Sequence, residues 1–200
     1  MNITAIKQQE RLKGRYSIFV DGKYAFSLSA DALLDEKLYN GQELDEQQLK
    51  TYKKLSQDDK AYGLALAYLA RRMRSRWEVT DYFRRKQYDE ALAQQLMERL
   101  EKLGLIDDLK FAEAWVRNRR LLKPVSKRRL VQELRQKRIA DDIAEQVLAE
   151  DETDERDVLR DLIDRKRRQT KYQDDLKLMQ YLARQGFSYD DIKTSLNSES

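Results

Sequence analysis

The feature that most constrains the fold of this chain is an internal repeat of 47 residues. Aromatic–aliphatic or aliphatic pairs recur at this interval, at Tyr68-Leu69, Trp115-Val116 and Leu162-Ile163. A basic residue follows each pair at the same spacing, at Arg72, Arg119 and Lys166. A period in this range is typical of helical arrays, in which each unit buries only part of its apolar surface alone. The spacing predicts three tandem three-helix units.

Capping signals predict where the helices begin and end. Three Ser-x-x-Asp/Glu motifs are candidate capping boxes, in which hydroxyl and acid satisfy free backbone N–H groups; they begin at Ser56, Ser75 and Ser188. Further candidate caps are Ser126 and Asp107 or Asp108 at helix starts, and Gly104 at a helix end. After Ser56 the strand signals nearly disappear, so this part of the chain is predicted to be helical.

The first 55 residues have a different pattern. Asp21-Gly22 lies between two β-rich runs, which is a strong signal for a tight hairpin. The preceding stretch NITAIKQQE is a candidate third strand, and two short helices should follow, one ending near Gly41 and one spanning 45–54. We therefore expect an all-α array behind a small β-hairpin/helix extension. The expected boundaries are 1–55, 56–106, 107–152 and 153–200.

Composition argues against several classes of function. The chain has no cysteine and no histidine, which removes disulfides, thiol nucleophiles, zinc thiolate sites and the commonest general base. Its glycines form no phosphate-binding loop, and no compact carboxylate cluster suggests a metal nuclease. We expect no catalysis, cofactor or metal. Without an apolar run near the length of a membrane span or a signal-peptide pattern, a cytoplasmic protein is expected.

The charges are segregated along the chain although the net charge is only +4. Residues 115–139 carry ten basic side chains and one acid, residues 71–86 carry seven and two, and residues 141–164 carry eleven acids. Solvated helix surfaces normally interleave both signs, so such runs indicate a binding surface for carboxylates or phosphates. The alternative is an ordinary surface balanced by nearby acidic helices. The candidate binding residues are Arg71, Arg72, Arg74, Arg76, Arg117, Arg119, Arg120, Lys123, Lys127, Arg128, Arg129 and Lys137.

Within residues 115–139, the apolar side chains are expected to form the core and the ten cations to point outward. Trp115 is accordingly expected to pack rather than to contact a partner. Reversing Arg119, Arg120, Arg128 and Arg129 to Glu should leave the fold intact and weaken binding. The acidic run EDETDERD at residues 150–157 is interpreted as a hinge between the second and third units, and Asp107 and Asp108 as helix caps rather than metal ligands.

Three stretches resemble the RecX family, the bacterial regulators of the RecA recombinase: ALAYLARRMRSRWEVTDYFRRKQY, LEKLGLIDDLKFAEAWVRNRR and VSKRRLVQELRQKRI. The resemblance implies tandem three-helix units in an elongated, curved protein, no catalysis, and binding to the RecA–DNA filament, with modulation of recombinase and coprotease activity. We also expect a monomer. Some members also bind DNA. Where the family often has Lys-Gly before a helix, this chain has Lys86-Gln87 and Lys137-Arg138 and keeps the glycine only at Gln185-Gly186.

Two functions are therefore expected candidates. One is a regulator that binds the recombinase filament and inhibits it. The other is a helical-repeat nucleic-acid-binding protein without a recombinase partner. Binding to bare DNA and to filament at one salt concentration separates them, because a pure DNA binder should lose affinity when the recombinase covers the DNA.

Overall fold

In the computed structural model, which describes residues 1–197, a small antiparallel sheet precedes ten α-helices. The strands are β1 (Ile3–Gln8), β2 (Arg15–Val20) and β3 (Lys23–Ser29), in the order β1-β2-β3. Asp21 and Gly22 join β2 to β3 with positive φ angles of 48° and 75°, which a tight hairpin turn requires. The predicted hairpin and third strand are confirmed.

The helices divide into a short N-terminal one and three similar sets. They are α1 (Ala30–Asp35), α2 (Glu46–Leu69), α3 (Arg76–Arg85), α4 (Glu90–Lys102), α5 (Asp108–Leu122), α6 (Lys127–Gln136), α7 (Asp141–Ala149), α8 (Glu155–Arg167), α9 (Asp175–Arg184) and α10 (Tyr189–Asn197). Repeat 1 comprises the end of α2 with α3 and α4, repeat 2 comprises α5 to α7, and repeat 3 comprises α8 to α10. The all-α class, with three tandem three-helix units behind a small sheet, is confirmed. The last three residues of the expected 153–200 unit lie outside the described residues.

Most of the predicted helix ends are also confirmed. Ser75 and Glu78 form a complete capping box at the start of α3, and the Ser126 hydroxyl accepts a hydrogen bond from the first turn of α6. Asp107 caps α5 in the same way. Gly104 ends α4 with a φ of +67°, the left-handed conformation that glycine adopts without strain. Local sequence was sufficient here because each cap bonds within its own turn.

The prediction that a helix begins at Ser56 is wrong. Helix α2 runs without interruption from Glu46 to Leu69, so the expected boundary between residues 55 and 56 falls inside it. Ser56 instead exchanges hydrogen bonds with the backbone of Ser27 in β3, at 3.2 and 2.6 Å. Asp59 accepts the Ser29 backbone N–H at 2.9 Å and pairs with Arg15 at 2.8 Å. These side chains occupy the open edge of β3, which would otherwise present unpaired backbone groups.

The predicted N-terminal helix near Gly41 is also shorter than expected. Helix α1 ends at Asp35, and Lys37 and Gly41 then take positive φ angles of 49° and 91° in the turns that lead to α2. Asp45 caps α2 with a capping box that includes Gln48, as the predicted helix start at residue 45 requires.

Contacts divide the chain into two compact units, residues 1–72 with 89–96, and residues 73–88 with 97 onward. The core of the sheet in the first unit contains Ile3, Ile18, Val20, Phe26, Leu28, Leu38 and Leu44. In the second unit, repeat 2 has a core of Phe111, Ala112, Val116, Val125, Leu130, Leu134, Ile139, Ala144, Val147 and Leu148. Repeat 3 has its own core of Val158, Leu159, Leu162, Ile163, Leu178, Leu182, Phe187 and Ile192.

Within the second unit, the start of α3 meets the end of α6. The Ser75 hydroxyl donates to the Lys137 carbonyl at 3.0 Å, at the C-terminus of α6. The backbone N–H of Arg76 donates to a carboxylate oxygen of Asp108 at 2.7 Å. An acid from the first turn of α5 therefore caps α3, in addition to the local capping box.

The same junction recurs one repeat later. The Ser126 backbone N–H, at the start of α6, donates to the Gln185 carbonyl at the end of α9, at 3.1 Å. The Lys127 N–H donates to Glu155 at 2.6 Å, and Glu155 begins the first helix of repeat 3. In the first junction the N-terminus of α3 meets the C-terminus of α6, and in the second the N-terminus of α6 meets the C-terminus of α9. The positive end of one helix dipole thus faces the negative end of another, which is favourable.

Gly186 lies at the second junction, and its substitution should be costly. Its φ is +96°, and a Cβ would lie 2.3 Å from Ser126 Oγ and 2.8 Å from Arg129 Cβ. We expect Gly186→Ala to destabilise the protein by about 2–4 kcal/mol, from the left-handed backbone together with overpacking. Gly104→Ala is the matched control, since that glycine also has a positive φ but nothing within 4 Å of its Cβ. Urea unfolding measures both, and equal losses would contradict a close contact at the junction.

The absence of glycine at the equivalent positions of repeats 1 and 2 does not alter the cap. Gln87 and Arg138 adopt φ angles of 58° and 57°, so both take the left-handed conformation despite their side chains. Each is followed by a residue whose N–H bonds back to the helix, Tyr88 to the Phe83 carbonyl and Ile139 to that of Leu134.

Candidate binding surface

The basic segment 115–139 forms the second half of α5, a loop, and all of α6. Most of its apolar side chains are buried as expected, namely Val116, Val125, Leu130, Leu134 and Ile139. Trp115 is partly buried against this core and stacks on Phe111, with ring centroids 5.8 Å apart, which confirms its packing role. Leu121 and Leu122 do not belong to the core as expected, because they are 71% and 76% exposed.

Arg119 does not point outward but binds the one acid of the segment. Its Nε and Nη2 donate to the two carboxylate oxygens of Glu133 at 2.7 and 2.8 Å. The indole Nε1 of Trp115 donates to the same carboxylate at 3.0 Å, and the Glu133 side chain is only 7% exposed. Two-pronged pairing of this kind fixes the geometry of both side chains. Arg119 therefore holds α5 against α6.

Repeat 3 places a cation at the equivalent position in a similar way. Lys166 lies 47 residues after Arg119, and its Nζ is 4.6 Å from the ring centroid of Tyr181 and 5.3 Å from that of Tyr172. A cation over an aromatic ring is attracted by the electron-rich face of the ring. The regularly spaced cation in repeats 2 and 3 thus contacts the neighbouring helix of its own repeat, and the 47-residue pattern marks an internal contact there.

Arg120 is also turned inward. Its Nε and Nη2 donate to Asp151 Oδ2 at 2.9 and 2.7 Å, and its Nη1 donates to the Val125 carbonyl at 2.7 Å. The two charged side chains are 10% and 8% exposed. Burial raises the pKa of Asp151, but hydrogen bonds from Thr153 and Arg120 outweigh that effect, and the pKa lies below its ordinary value. Asp151 belongs to the acidic run interpreted as a hinge, and it is instead tied to repeat 2.

This pairing should make stability depend on pH. A carboxylate with a lowered pKa in the folded state stabilises the protein above its unfolded pKa, about 3.9 for Asp, and loses that contribution as the pH falls through the folded value. We therefore expect wild type to exceed Asp151→Asn in unfolding free energy at neutral pH, with the difference narrowing below about pH 4. Denaturant unfolding of both proteins from acidic to neutral pH measures this difference in unfolding free energy.

Asp157→Asn is the control, because that side chain is 67% exposed and pairs only at 3.5 Å with Arg160. The unfolding free energy of Asp157→Asn should stay close to that of wild type at every pH. A difference for Asp151→Asn that remains constant across the titration would show that the carboxylate charge contributes nothing to the fold.

Three further predicted binding residues are partly engaged within the protein. Lys137 donates to Glu78 at 2.8 Å and lies 5.1 Å from the Trp115 ring, so it joins α6 to α3. Lys127 donates from Nζ to the Asp151 carbonyl at 3.2 Å. Arg129 lies 3.5 Å from Glu133 but keeps 40% of its side chain exposed. Of these three, Arg129 retains the most capacity for an external partner.

Arg117, Lys123 and Arg128 match the predicted binding surface best. All three are exposed, and none forms an ion pair within residues 1–197. Arg117 lies on the outer side of α5, Lys123 ends that helix, and Arg128 lies in the first turn of α6. We call these three residues the outer cations. Their charge is directed to solvent.

The remaining predicted cations lie at or near the start of repeat 1. Arg71 and Arg72 are exposed after the end of α2, in the first compact unit, and Arg74 is half-buried in the second. Arg76 pairs with Glu101 at 2.6 Å, with 58% of its side chain exposed. These four therefore do not form one uniform group.

The acids considered as metal ligands serve as helix caps. Asp107 caps α5, and the backbone N–H of Lys110 lowers its pKa. Burial raises the pKa of Asp108, which accepts the Arg76 N–H. In the part of the chain that the structure describes, no group of three or more Asp or Glu side chains could hold a metal ion. None of the helices in residues 1–197 is long and apolar enough to cross a membrane.

Two features of this surface were missed from the sequence, although signals for them exist. Glu133 is the single acid among ten cations, and its spacing from Leu130 and Leu134 places it on the buried side of α6. Arg119 and Arg120 continue the inward stripe of α5 that begins with Phe111 and Ala112. The same periodicity assigns Leu121 to the outer side, whereas Leu122 shares the side of Trp115 and is exposed in the last turn of α5.

Comparisons with known proteins agree with this architecture. Family models match the RecX N-terminal domain at residues 1–45 and the first, second and third RecX three-helix domains at 61–100, 107–148 and 153–196. A crystal structure of regulatory protein RecX superposes with a TM-score of 0.70 at 30% identity, covering 98% of both chains. RecX from Lactobacillus salivarius superposes with a TM-score of 0.58 at 29% identity, covering 70% of this chain and 95% of that one.

Curated relatives give the same result over a shorter stretch. The regulatory protein RecX of Lactobacillus gasseri is 36% identical over 116 residues, which are 58% of this chain and 42% of that protein. The Oceanobacillus iheyensis protein is 37% identical over 122 residues, covering 58% and 45%. The match thus spans less than half the length of these relatives. Together with the matching domains and the full-length superposition, these relatives show that the chain belongs to the RecX family of regulatory proteins.

Proposed function

We propose that this protein binds the filament that the RecA recombinase forms on DNA and inhibits recombinase and coprotease activity. Membership of a regulatory family supports a regulatory role. The observation that carries the proposal is the group of outer cations, Arg117, Lys123 and Arg128, which are exposed on repeat 2 and unpaired within residues 1–197. Their charge suits clustered carboxylates or phosphates.

A helical-repeat nucleic-acid-binding protein is the second candidate, since the same cations could contact DNA phosphates alone. The two functions differ in what happens when recombinase covers the DNA. We expect tighter binding to the recombinase filament on a single-stranded oligonucleotide than to the bare oligonucleotide at the same salt. Fluorescence anisotropy at several salt concentrations measures both, because phosphate contacts release counterions and weaken with salt. Stronger binding to the bare oligonucleotide would support the second candidate.

Catalysis is not part of the proposed function. The chain lacks His and Cys and has no phosphate-binding loop, and Asp107 and Asp108 are occupied as helix caps. We expect the purified protein to show no ATP turnover and no DNA cleavage. Hydrolysis assays in the presence of Mg²⁺ test this expectation, with Asp107→Asn and Asp108→Asn as controls. Activity that disappears in those variants would identify a catalytic pair and contradict the proposal.

A further inference from the structure

We propose that the C-terminal half of α5 in repeat 2 carries a groove that docks an apolar side chain from an acidic segment of a partner protein. The groove is lined by Trp115, Asn118, Arg119, Leu122 and Lys123 and encloses about 210 Å³. This inference rests on the proposed function, and it assigns the contact to the protein part of the filament rather than to its DNA.

The groove lies along the last turns of α5, where the side of the helix that carries Trp115 continues to Leu122, seven residues later. Arg119 and Arg120 occupy the inward positions, where Glu133 and Asp151 hold them. Leu121 is on the outer side with 71% of its surface exposed, and Leu122, on the Trp115 side at the end of the helix, is 76% exposed. Leu121 lines a different depression, so the apolar surface of the groove consists of Leu122 and Trp115. An exposed leucine beside an aromatic ring favours an interaction site, because single scattered apolar residues are common on protein surfaces but contiguous ones are less so.

The side chains around the groove suggest what it binds. Lys123 is an exposed cation at its end without an ion pair in residues 1–197, whereas the charge of Arg119 on its wall is balanced by Glu133. No acid is among the five lining residues, whereas the depression on the Leu121 side also contains Glu113, Glu150 and Asp151. An acidic occupant is therefore favoured on the Leu122 side by charge complementarity.

A protein segment fits this groove better than a nucleic-acid backbone does. Phosphates could pair with Lys123 but would leave Leu122 and the partly buried ring of Trp115 in contact with water. A segment that combines a carboxylate with an apolar side chain uses the cation and the apolar wall together. Binding sites of this kind concentrate their affinity in a few apolar and aromatic anchors surrounded by polar groups.

The test compares Leu122→Asn with Leu176→Asn. Both leucines are highly exposed, at 76% and 65%, but Leu176 lies in α9 of repeat 3, away from the groove residues in sequence and structure. We expect both variants to melt like wild type. Leu122→Asn should bind the recombinase filament about tenfold or more weakly and bind bare single-stranded DNA within about twofold of wild type. Leu176→Asn should match wild type in both assays.

Each other outcome overturns the inference. Unchanged filament binding by Leu122→Asn would remove the groove from the contact. An equal loss on bare DNA would make it a DNA contact, and a wild-type dimer that Leu122→Asn dissociates in sedimentation would make it a contact between two copies. If wild type itself does not prefer filament over bare DNA, it is the proposed function that fails. The wild-type result thus distinguishes failure of the proposed function from failure of the groove proposal.

Discussion

Replacing Arg119 or Arg120 by alanine is expected to destabilise repeat 2 severely, by about 3–5 kcal/mol for each substitution. Both arginines pair with carboxylates that are nearly buried, Glu133 at 7% and Asp151 at 8% exposure. Removing Arg120 leaves the charge of Asp151 without its paired cation in a poorly solvated position, and removing Arg119 leaves Glu133 with only the more distant Arg129 at 3.5 Å. Either loss costs more than the pair contributes when intact. The loss is large against a domain stability of about 5–15 kcal/mol.

The measurement is denaturant unfolding of each variant, with Arg128→Ala as the control. Arg128 belongs to the same segment but is exposed and has no ion pair in residues 1–197, so its removal should change stability by no more than about 0.5 kcal/mol. Reversing Arg119 and Arg120 to Glu should also damage the fold, contrary to the expectation from the sequence, because each glutamate would face another acid. Equal stabilities for all three alanine variants would show that the inward ion pairs contribute little.

The second large effect concerns binding. Reversing the three outer cations to Glu should leave the melting temperature unchanged or slightly higher, because none of them is paired within residues 1–197 and mutual repulsion is relieved. Filament binding should weaken by about a hundredfold or more, since like charges placed opposite each other cost several kcal/mol. Inhibition of strand exchange should fall in parallel.

Binding across a salt series distinguishes this variant from a generally impaired protein. Its remaining affinity should depend less on salt than that of wild type, because fewer counterions or charge pairs are involved. The matched control reverses Lys166, Arg167 and Arg168 in repeat 3, and Lys166 and Arg167 there have partners within the repeat. We expect that control to lose stability and the triple variant to lose binding. A folded triple variant that still inhibits as well as wild type would contradict the proposed binding surface.

The sequence predicts most of the fold because the signals for its helices are local. The hydroxyls of Ser75 and Ser126 bond three residues along the chain, and Gly104 ends a helix through its own φ angle. The hairpin at Asp21-Gly22 is equally local. The repeat spacing then gives the number of three-helix units, because each unit needs the same apolar positions.

What the sequence does not predict depends on partners far along the chain. Ser56 and Asp59 match a capping box, but their hydrogen bonds go to β3, about 30 residues earlier. Arg119 and Arg120 belong to a segment with the composition of a binding surface, yet they pair with acids that lie 14 and 31 residues away along the chain. Net charge along a segment reports how many cations there are and says nothing about which of them meet an acid when the helices pack.

The predicted binding residues of repeat 2 thus divide into an inward set that holds the helices together and the outer cations, which are available to a partner. Reaction with an arginine-specific dicarbonyl reagent, read residue by residue by mass spectrometry, tests both halves in one measurement. In the free protein Arg117 and Arg128 should react rapidly, and on the recombinase filament they should be protected. Arg120, with 10% of its side chain exposed, should react slowly in both states. If Arg120 reacts as fast as Arg117 in the free protein, or if Arg117 and Arg128 stay reactive on the filament, the division is wrong.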